Sequence, residues 1–529
     1  MDAKTLRKIY YLLILILLAA MAGCAVNPVT GRSELALVSE QQEVEIGKKE
    51  YPFSRQAGGG DYKDDDLDRY VNEVGRRLAA VSHRPDIPFQ FKVIDSSVPN
   101  AFALPGGPIA IHRGLLASLE NEAQLAAVLG HEIGHVTARH YVQSVSSNML
   151  LNVGLVAVGV GVSMSGTDFG QPIMLGSAVA ANMANMKFSR SHEEQSDRLG
   201  IDYMVRAGYD PQGAVQLQEY FYKVVEKEKK PDWLEGLFRT HPFSMERMEA
   251  NRRMVNSMPR QSNWTLGEDE FRRRTAALKN AQEAYKVFDE GQKLAAKKQN
   301  SEAMAKFDEA IKKAPDRPPF YRERGALHIK DERYDSAEKD LKKSLSLDSD
   351  FYKTHYYLGL LNDKQGKKKE AEAEFKQSMQ LLPTREAAYH LGKYYEETGA
   401  SREAFRYLDM AVQGGGDDEL ARDAKHRWET HVLRESPAKL VAADVRPAGT
   451  NGRVAHSIAV KNGSSHALRS VRIKFGYLNA TGKLLDVREI TVENIPAGKT
   501  ITYNNAGYWF VPPGTMRVQT QVSGVTFSE

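Results

Sequence analysis

The chain has 529 residues, which at about 150 residues per domain makes three or four domains rather than one. Its 72 Lys and Arg against 68 Asp and Glu leave a net charge of +4 spread over that length, which excludes nucleic-acid binding by charge neutralisation. With 42% hydrophobic and 26% charged residues the chain is neither a polytopic membrane protein nor a disordered one, and its one cysteine, Cys24, excludes an internal disulfide or a Cys-rich metal centre.

Lys4, Arg7 and Lys8 precede an apolar run from Ile9 to Ala20, followed by Met21-Ala22-Gly23 and Cys24, the layout of a signal peptide. The last residues resemble a bacterial lipobox, with Met21 where leucine is usual. That resemblance implies removal of residues 1–23, acylation of Cys24 and, with Ala25 next, sorting to the outer membrane, so that the mature protein works in the periplasm. The apolar run itself is short for a membrane span, which needs roughly 20 residues. Lys63 to Asp66 reads as a charged loop without a role. Phe89, Phe91 and Val93 alternate like a strand, and Gly106-Gly107 marks a tight turn between Asn100-Ala101-Phe102 and the run Pro108 to His112. Spacing alone leaves two readings of this segment, a core hairpin or an exposed edge that pairs with a substrate backbone.

Asn121 to Tyr141 has helical periodicity through Leu125, Val128 and Leu129 and contains His131-Glu132-Ile133-Gly134-His135. Histidines four apart on a helix share a face, so both imidazoles reach one Zn²⁺ with Glu132 beside it as general base. A third histidine ten residues after the first is absent, because that position is Tyr141 and His140 falls one residue short. The stretch Tyr141 to Thr167 and the stretch Phe169 to Met186 are uncharged. The most apolar part, Met149 to Met164, is open to three readings: a lid over the cleft, a membrane-contacting segment, or ordinary core. A second helical pattern begins at His192-Glu193-Glu194-Gln195-Ser196-Asp197, where Glu193 and Asp197 share a face, one able to bind metal and the other to hold a ligand histidine by its outer N–H.

Here the sequence resembles the zinc metallopeptidases related to the CAAX prenyl proteases and the bacterial membrane protease HtpX. Their pattern is H-E-x-x-H followed by E-x-x-A-D, and Ser196 stands in place of the alanine, leaving Glu193 or Glu194 as the third ligand, with Glu193 favoured by its spacing to Asp197. The resemblance implies one zinc per chain on His131, His135 and Glu193, in the gluzincin manner, with Asp197 behind them and the Asn100, Ala101 and Phe102 segment bordering the active site. His241-Pro242 with Arg247 matches the family's H-P-x-x-x-x-R, which places His241 and Arg247 with Glu132 among the catalytic residues. The two groups are suited to an oxyanion, while in periplasmic relatives the histidine instead closes the resting zinc as a fourth ligand. The resemblance covers about Val38 to Met258.

Gly291, Gly325, Gly359 and Gly392 recur at spacings of 34, 34 and 33, each followed by Ala303, Ala337, Ala371 or Ala404 and then by Phe307, Leu341, Phe375 or Leu408. That period belongs to tetratricopeptide (TPR) repeats, here four helical hairpins with a capping helix from Asp418 to Glu435. Ala276 to Glu435 carries 30 basic and 30 acidic residues, so the groove is not tuned to one sign of charge and suits peptide or protein binding. After Pro437, short alternating runs such as Ser457 to Lys461 and Val471 to Tyr477, with Asn462-Gly463 and Thr481-Gly482 turns, read as strands. They suggest an immunoglobulin-like β-sandwich.

The expected architecture is therefore a signal peptide (1–23), a mainly helical α+β zincin peptidase domain (24–260), a linker (261–283), an α-solenoid of TPR repeats with its cap (284–435) and a β-sandwich (436–529). The expected function is a zinc endopeptidase, lipid-anchored in the envelope, that removes misfolded or stalled envelope proteins. Repeats after such a peptidase resemble those of periplasmic family members, in which they contact the outer-membrane assembly machinery. The alternative is a TPR chaperone or scaffold with little proteolytic activity.

Overall fold

The computed structural model describes residues 24–147, 186–228, 237, 240–242, 244–449 and 451–527. The signal-peptide run and the Met149 to Met164 segment lie outside them. Two compact units divide the chain at Pro383/Thr384.

In the first unit a short antiparallel pair, β1 (Cys24–Val26) and β2 (Ser33–Leu35), precedes helix α1 (Glu40–Gly58). Ser39 and Gln42 cap α1 reciprocally, satisfying two backbone N–H groups that a helix start leaves free. Helix α2 (Asp65–Ala79) leads to a three-stranded sheet of β3 (Gln90–Ile94), β4 (Ala101–Ala103) and β5 (Pro108–His112), in the order β3-β5-β4. β5 pairs parallel with β3 and antiparallel with β4, which leaves β4 at an edge. Gly106 and Gly107 turn the chain between β4 and β5 at φ 76° and 109°, where a side chain would be strained. The helices α3 (Arg113–Ser118), α4 (Glu122–Thr137), α5 (Arg190–Arg206), α6 (Gln212–Glu228) and α7 (Met245–Ser257) follow.

α4 and α5 cross closely because small residues line both. A Cβ on Gly130 would stand 3.1 Å from Gly200, and one on Gly134 3.0 Å from the Ser196 Cα. Ser196 thus occupies a crossing where bulk is excluded, and the alanine-to-serine difference from the family pattern is tolerated there.

The linker expected at 261–283 is instead built into the fold. Thr265 pairs with Tyr209, Ala123 N–H donates to the Leu266 carbonyl at 3.0 Å, and α8 (Glu268–Arg274) buries Phe271 completely. The next helix, α9 (Ala276–Ala296), starts eight residues before the expected repeat boundary at 284 because Leu278 and Ala281 are already buried. It pairs with α10 (Asn300–Lys313), and two further hairpins follow, α11 (Pro318–Lys330) with α12 (Tyr334–Leu347) and α13 (Tyr352–Lys364) with α14 (Lys368–Leu381). A Cβ on Gly291, Gly325 or Gly359 would meet Phe307, Leu341 or Phe375 at 2.6 to 3.0 Å, so each glycine makes room for the large side chain of its partner helix.

Peptidase and repeats share one hydrophobic core that runs from Phe91 and Leu129 through Tyr285 to Phe307 and Phe320. Polar contacts reinforce it. Arg113 bonds Asp95 at 2.6 Å and stacks over Tyr285, whose hydroxyl donates to Asp95 at 3.0 Å. The charged loop at Lys63 to Asp66, expected to have no role, has two: Lys63 pairs with Asp348 at 2.9 Å, and Asp64 caps α2.

The second unit contains a fourth hairpin, α15 (Arg385–Glu397) and α16 (Ser401–Gln413), and the capping helix α17 (Glu419–Glu435). Six strands form two antiparallel three-stranded sheets, ordered β10-β7-β6 and β11-β8-β9: β6 (Val441–Pro447), β7 (Gly452–Asn462), β8 (Leu468–Leu478), β9 (Leu484–Ile495), β10 (Thr500–Val511) and β11 (Arg517–Phe527). Ile458, Val460, Ile473 and Phe475 belong to the core they share. β6 was not among the expected strands, because Ala442, Ala443 and Pro447 weaken its alternation.

Candidate metal centre

α4 presents His131 and His135 one turn apart, α5 contributes Glu193 from its first turn, and the segment before α7 contributes His241. One donor atom from each of the four lies within 4.8 Å of every other. The pairs His131 Nε2 to His135 Nε2, His131 Nε2 to His241 Nδ1, and His241 Nδ1 to Glu193 Oε1 measure 3.1, 3.3 and 3.2 Å. Glu193 also lies 3.4 Å from His131 Nε2 and 3.5 Å from His135 Nε2. A tetrahedron with zinc–ligand bonds of about 2.0–2.1 Å has edges of about 3.3 Å, so this donor set fits one zinc ion. Glu193, 1% exposed, is the carboxylate brought into the group, while its neighbour Glu194 faces solvent.

Both helix histidines are held in the tautomer that points a lone pair inward. His131 Nδ1 donates to Asp197 Oδ1 at 2.9 Å. His135 Nδ1 lies 3.1 Å from His140 Nδ1, and His140 Nε2 donates to Gln195 Oε1 at 2.9 Å. With its proton on Nε2, His140 accepts from His135 and leaves His135 Nε2 free for metal. His140 and Gln195 were missed as partners, because no helical spacing connects His140 to the facing helix. Burial pushes His140 down to about 3, in keeping with a neutral ring.

Arg247 donates to Asp197 through Nε at 2.9 Å and Nη2 at 2.8 Å, lies 3.0 Å from Glu193 Oε2, and reaches back to the Pro242 carbonyl at 2.8 Å. The H-P-x-x-x-x-R spacing is thus a closed turn, with Ser244 capping α7 and Arg247 in its first turn. This differs from the expectation of an oxyanion group: the guanidinium is committed to Asp197 behind the donor set and to Glu193 within it. Asn251, also missed from sequence, bonds Asp197 at 2.9 Å.

Burial opposes protonation of His131, yet the Asp197 and Glu193 carboxylates push it up to about 10. Burial would raise Glu193, but His241, His131 and His135 hold it far below the usual carboxylate range. The positive charge that these carboxylates draw onto the histidines is what a dication would supply. Burial raises Glu132, against the pull of His241 and His131, and the Ala103 N–H donates to its carboxylate. That bond joins the outer edge of β4 to Glu132. Of the expected edge segment, Ala101 and Phe102 are buried, and Asn100 accepts from the Thr240 hydroxyl at 3.2 Å, tying the strand to the residue before His241.

Residues 65–255 match the family model described as peptidase family M48. A beta-barrel assembly-enhancing protease of Yersinia pestis is 30% identical over 235 residues, covering 44% of this chain and 47% of that protein. The protein of the same name from Escherichia coli K12 is 25% identical over 455 residues, covering 84% of this chain and 87% of its own length. A mitochondrial metalloendopeptidase OMA1 of Arabidopsis thaliana is 30% identical over 169 residues, covering 32% of each. The donor set and the match over the helices that carry it lead to one conclusion: residues 65–255 form a zinc metallopeptidase domain that matches peptidase family M48, in a chain similar along most of its length to proteins named beta-barrel assembly-enhancing protease.

Proposed function

We propose that the protein is an endopeptidase of the bacterial envelope that hydrolyses misfolded or stalled envelope proteins, in outer-membrane quality control. The observation that carries this reading is Glu132, buried beside a complete four-residue donor set, in a chain whose peptidase and first repeat hairpin share one core. The name of the relatives that align over most of the chain supports the choice of client. Zinc, which His131, His135 and Glu193 would hold, supplies a Lewis acid that brings the pKa of water towards neutrality and polarises a peptide carbonyl.

The protein's own groups do the proton work. Glu132, with its pKa raised by burial, accepts a proton from the attacking water and returns it to the leaving amine. The outer edge of β4, whose Ala103 N–H holds Glu132, would align an extended peptide beside it through its remaining backbone groups. Arg247 and Asp197 act as positioning residues. His241 stands in the fourth corner of the donor set, with Nε2 3.5 Å from Glu132 Oε1, which favours the resting-state plug over the oxyanion role. Acylation at Cys24 would anchor the protein to the outer membrane, and the repeat hairpins would present clients or dock on the assembly machinery.

The test is a pull-down from the envelope with Glu132→Gln protein, which holds clients that it cannot cut. Recovery of outer-membrane barrel proteins supports the reading. A sample of random soluble proteins replaces quality control by general degradation.

A further inference from the structure

A cavity of about 110 Å³ opens beside His131, Glu132 and His241, between α4, α5, α6 and α7. Away from the donor set much of its wall is apolar: Ala127, Met204, Ala214, Leu217, Phe221 and Leu237. Small residues at two of these positions leave the space that larger ones would fill. Among the polar groups that also line it, Asp197, Arg247 and Asn251 are bonded to one another and Ser244 caps α7. Among the described residues Gln218 Oε1 is buried there without a hydrogen-bond partner, an acceptor that an occupant with an N–H or O–H would satisfy.

We infer that this cavity is the specificity pocket of the peptidase and takes an uncharged apolar side chain, branched aliphatic or single-ring, of a residue flanking the scissile bond. This rests on the peptidase reading. At about 110 Å³ the cavity is somewhat smaller than an apolar cavity of roughly 150 Å³ that encloses a whole benzene ring, which suits a branched aliphatic side chain best and a single ring whose near edge stays outside. A charged side chain would lose its hydration there, because the charges in the wall, Arg247 and Asp197, are already paired with each other. A glycine would leave the apolar surface wet.

Binding of zinc-directed peptide hydroxamates tests the pocket without turnover. Calorimetry on the zinc-loaded full chain compares compounds that differ only in one side chain: glycine, leucine, phenylalanine or aspartate. Leucine and phenylalanine compounds are expected to bind about tenfold to a hundredfold tighter than the glycine compound, from burial of one apolar side chain, and the aspartate compound no tighter than glycine. Ala214→Phe should bring the leucine compound down to the level of the glycine compound measured on the same variant, with zinc content and circular dichroism as the controls for metal and folding. Leu217→Ala should shift preference from leucine towards phenylalanine. Equal binding of all four compounds, or variants that leave the ranking as it was, overturns the pocket. A discriminating pocket in a protein that cleaves no unfolded substrate would instead sink the peptidase reading and keep the pocket.

Discussion

His135 and His140 meet through their Nδ1 atoms at 3.1 Å, so a histidine outside the H-E-x-x-H motif fixes the tautomer of one inside it. The relay ends on Gln195, two residues after Glu193, and couples α5 to α4 a second time. His140→Ala is expected to weaken zinc binding by about 10- to 100-fold, as outer partners of ligand histidines generally do. Competition with a chromophoric chelator measures it. Zinc affinity equal to that of the native protein would reduce His140 to packing.

Ligand and base should separate cleanly. His135→Ala and Glu193→Ala are expected to lose bound zinc, Glu194→Ala to keep it, and Glu132→Gln to keep zinc while losing about 10² to 10⁴ in turnover. Metal analysis alongside cleavage of an unfolded substrate checks both. Full zinc in Glu193→Ala would move the third ligand elsewhere.

For His241 the two roles have opposite signs. As a plug in the fourth position, its replacement by alanine should raise proteolysis or self-cleavage at matched zinc content. A fall of about 10² to 10³, the usual cost of one lost oxyanion donor, would make it a transition-state group instead.

A pH effect arises at a histidine of β5 that is not a member of the donor set. Burial pushes His112 down to about 4 from an ordinary 6.5, against a hydrogen bond to the Val98 carbonyl at 2.8 Å. Between those values the unfolded chain binds a proton that the folded protein refuses. The stability due to the neutral ring is therefore complete above pH 6.5 and is lost as pH falls towards 4, by about 3 kcal/mol. Urea midpoints measured from pH 7 to 4 should fall less steeply in His112→Gln; parallel curves would contradict this.

Arg113, buried against Asp95 and Tyr285, joins the peptidase to the first repeat hairpin. Arg113→Ala leaves the Asp95 carboxylate buried without its cation and is expected to cost about 3–5 kcal/mol. Chemical denaturation followed by intrinsic fluorescence would show it, and a loss below about 1 kcal/mol would mean that water replaces the guanidinium.

Local patterns carried much of this protein into view. H-E-x-x-H is a single helix turn, and its two histidines converge because of helical geometry alone. The TPR period is legible because each unit repeats the same glycine-to-large-residue contact, as Gly291 with Phe307 and Gly325 with Leu341 show. What depends on distant segments was decided only by the tertiary structure. Glu193 and Glu194 are chemically alike, and burial at the α4–α5 crossing separates them. Residues 261–283 look polar enough for a linker, yet Phe271 and Leu278 find a core made by segments up to two hundred positions earlier. Arg247, read as an oxyanion group from its motif, is turned onto Asp197 by the capped start of α7. The physical reason is common to all three: helix periodicity is set by neighbours a few residues away, whereas burial and charge pairing are set by whichever segments the fold brings alongside.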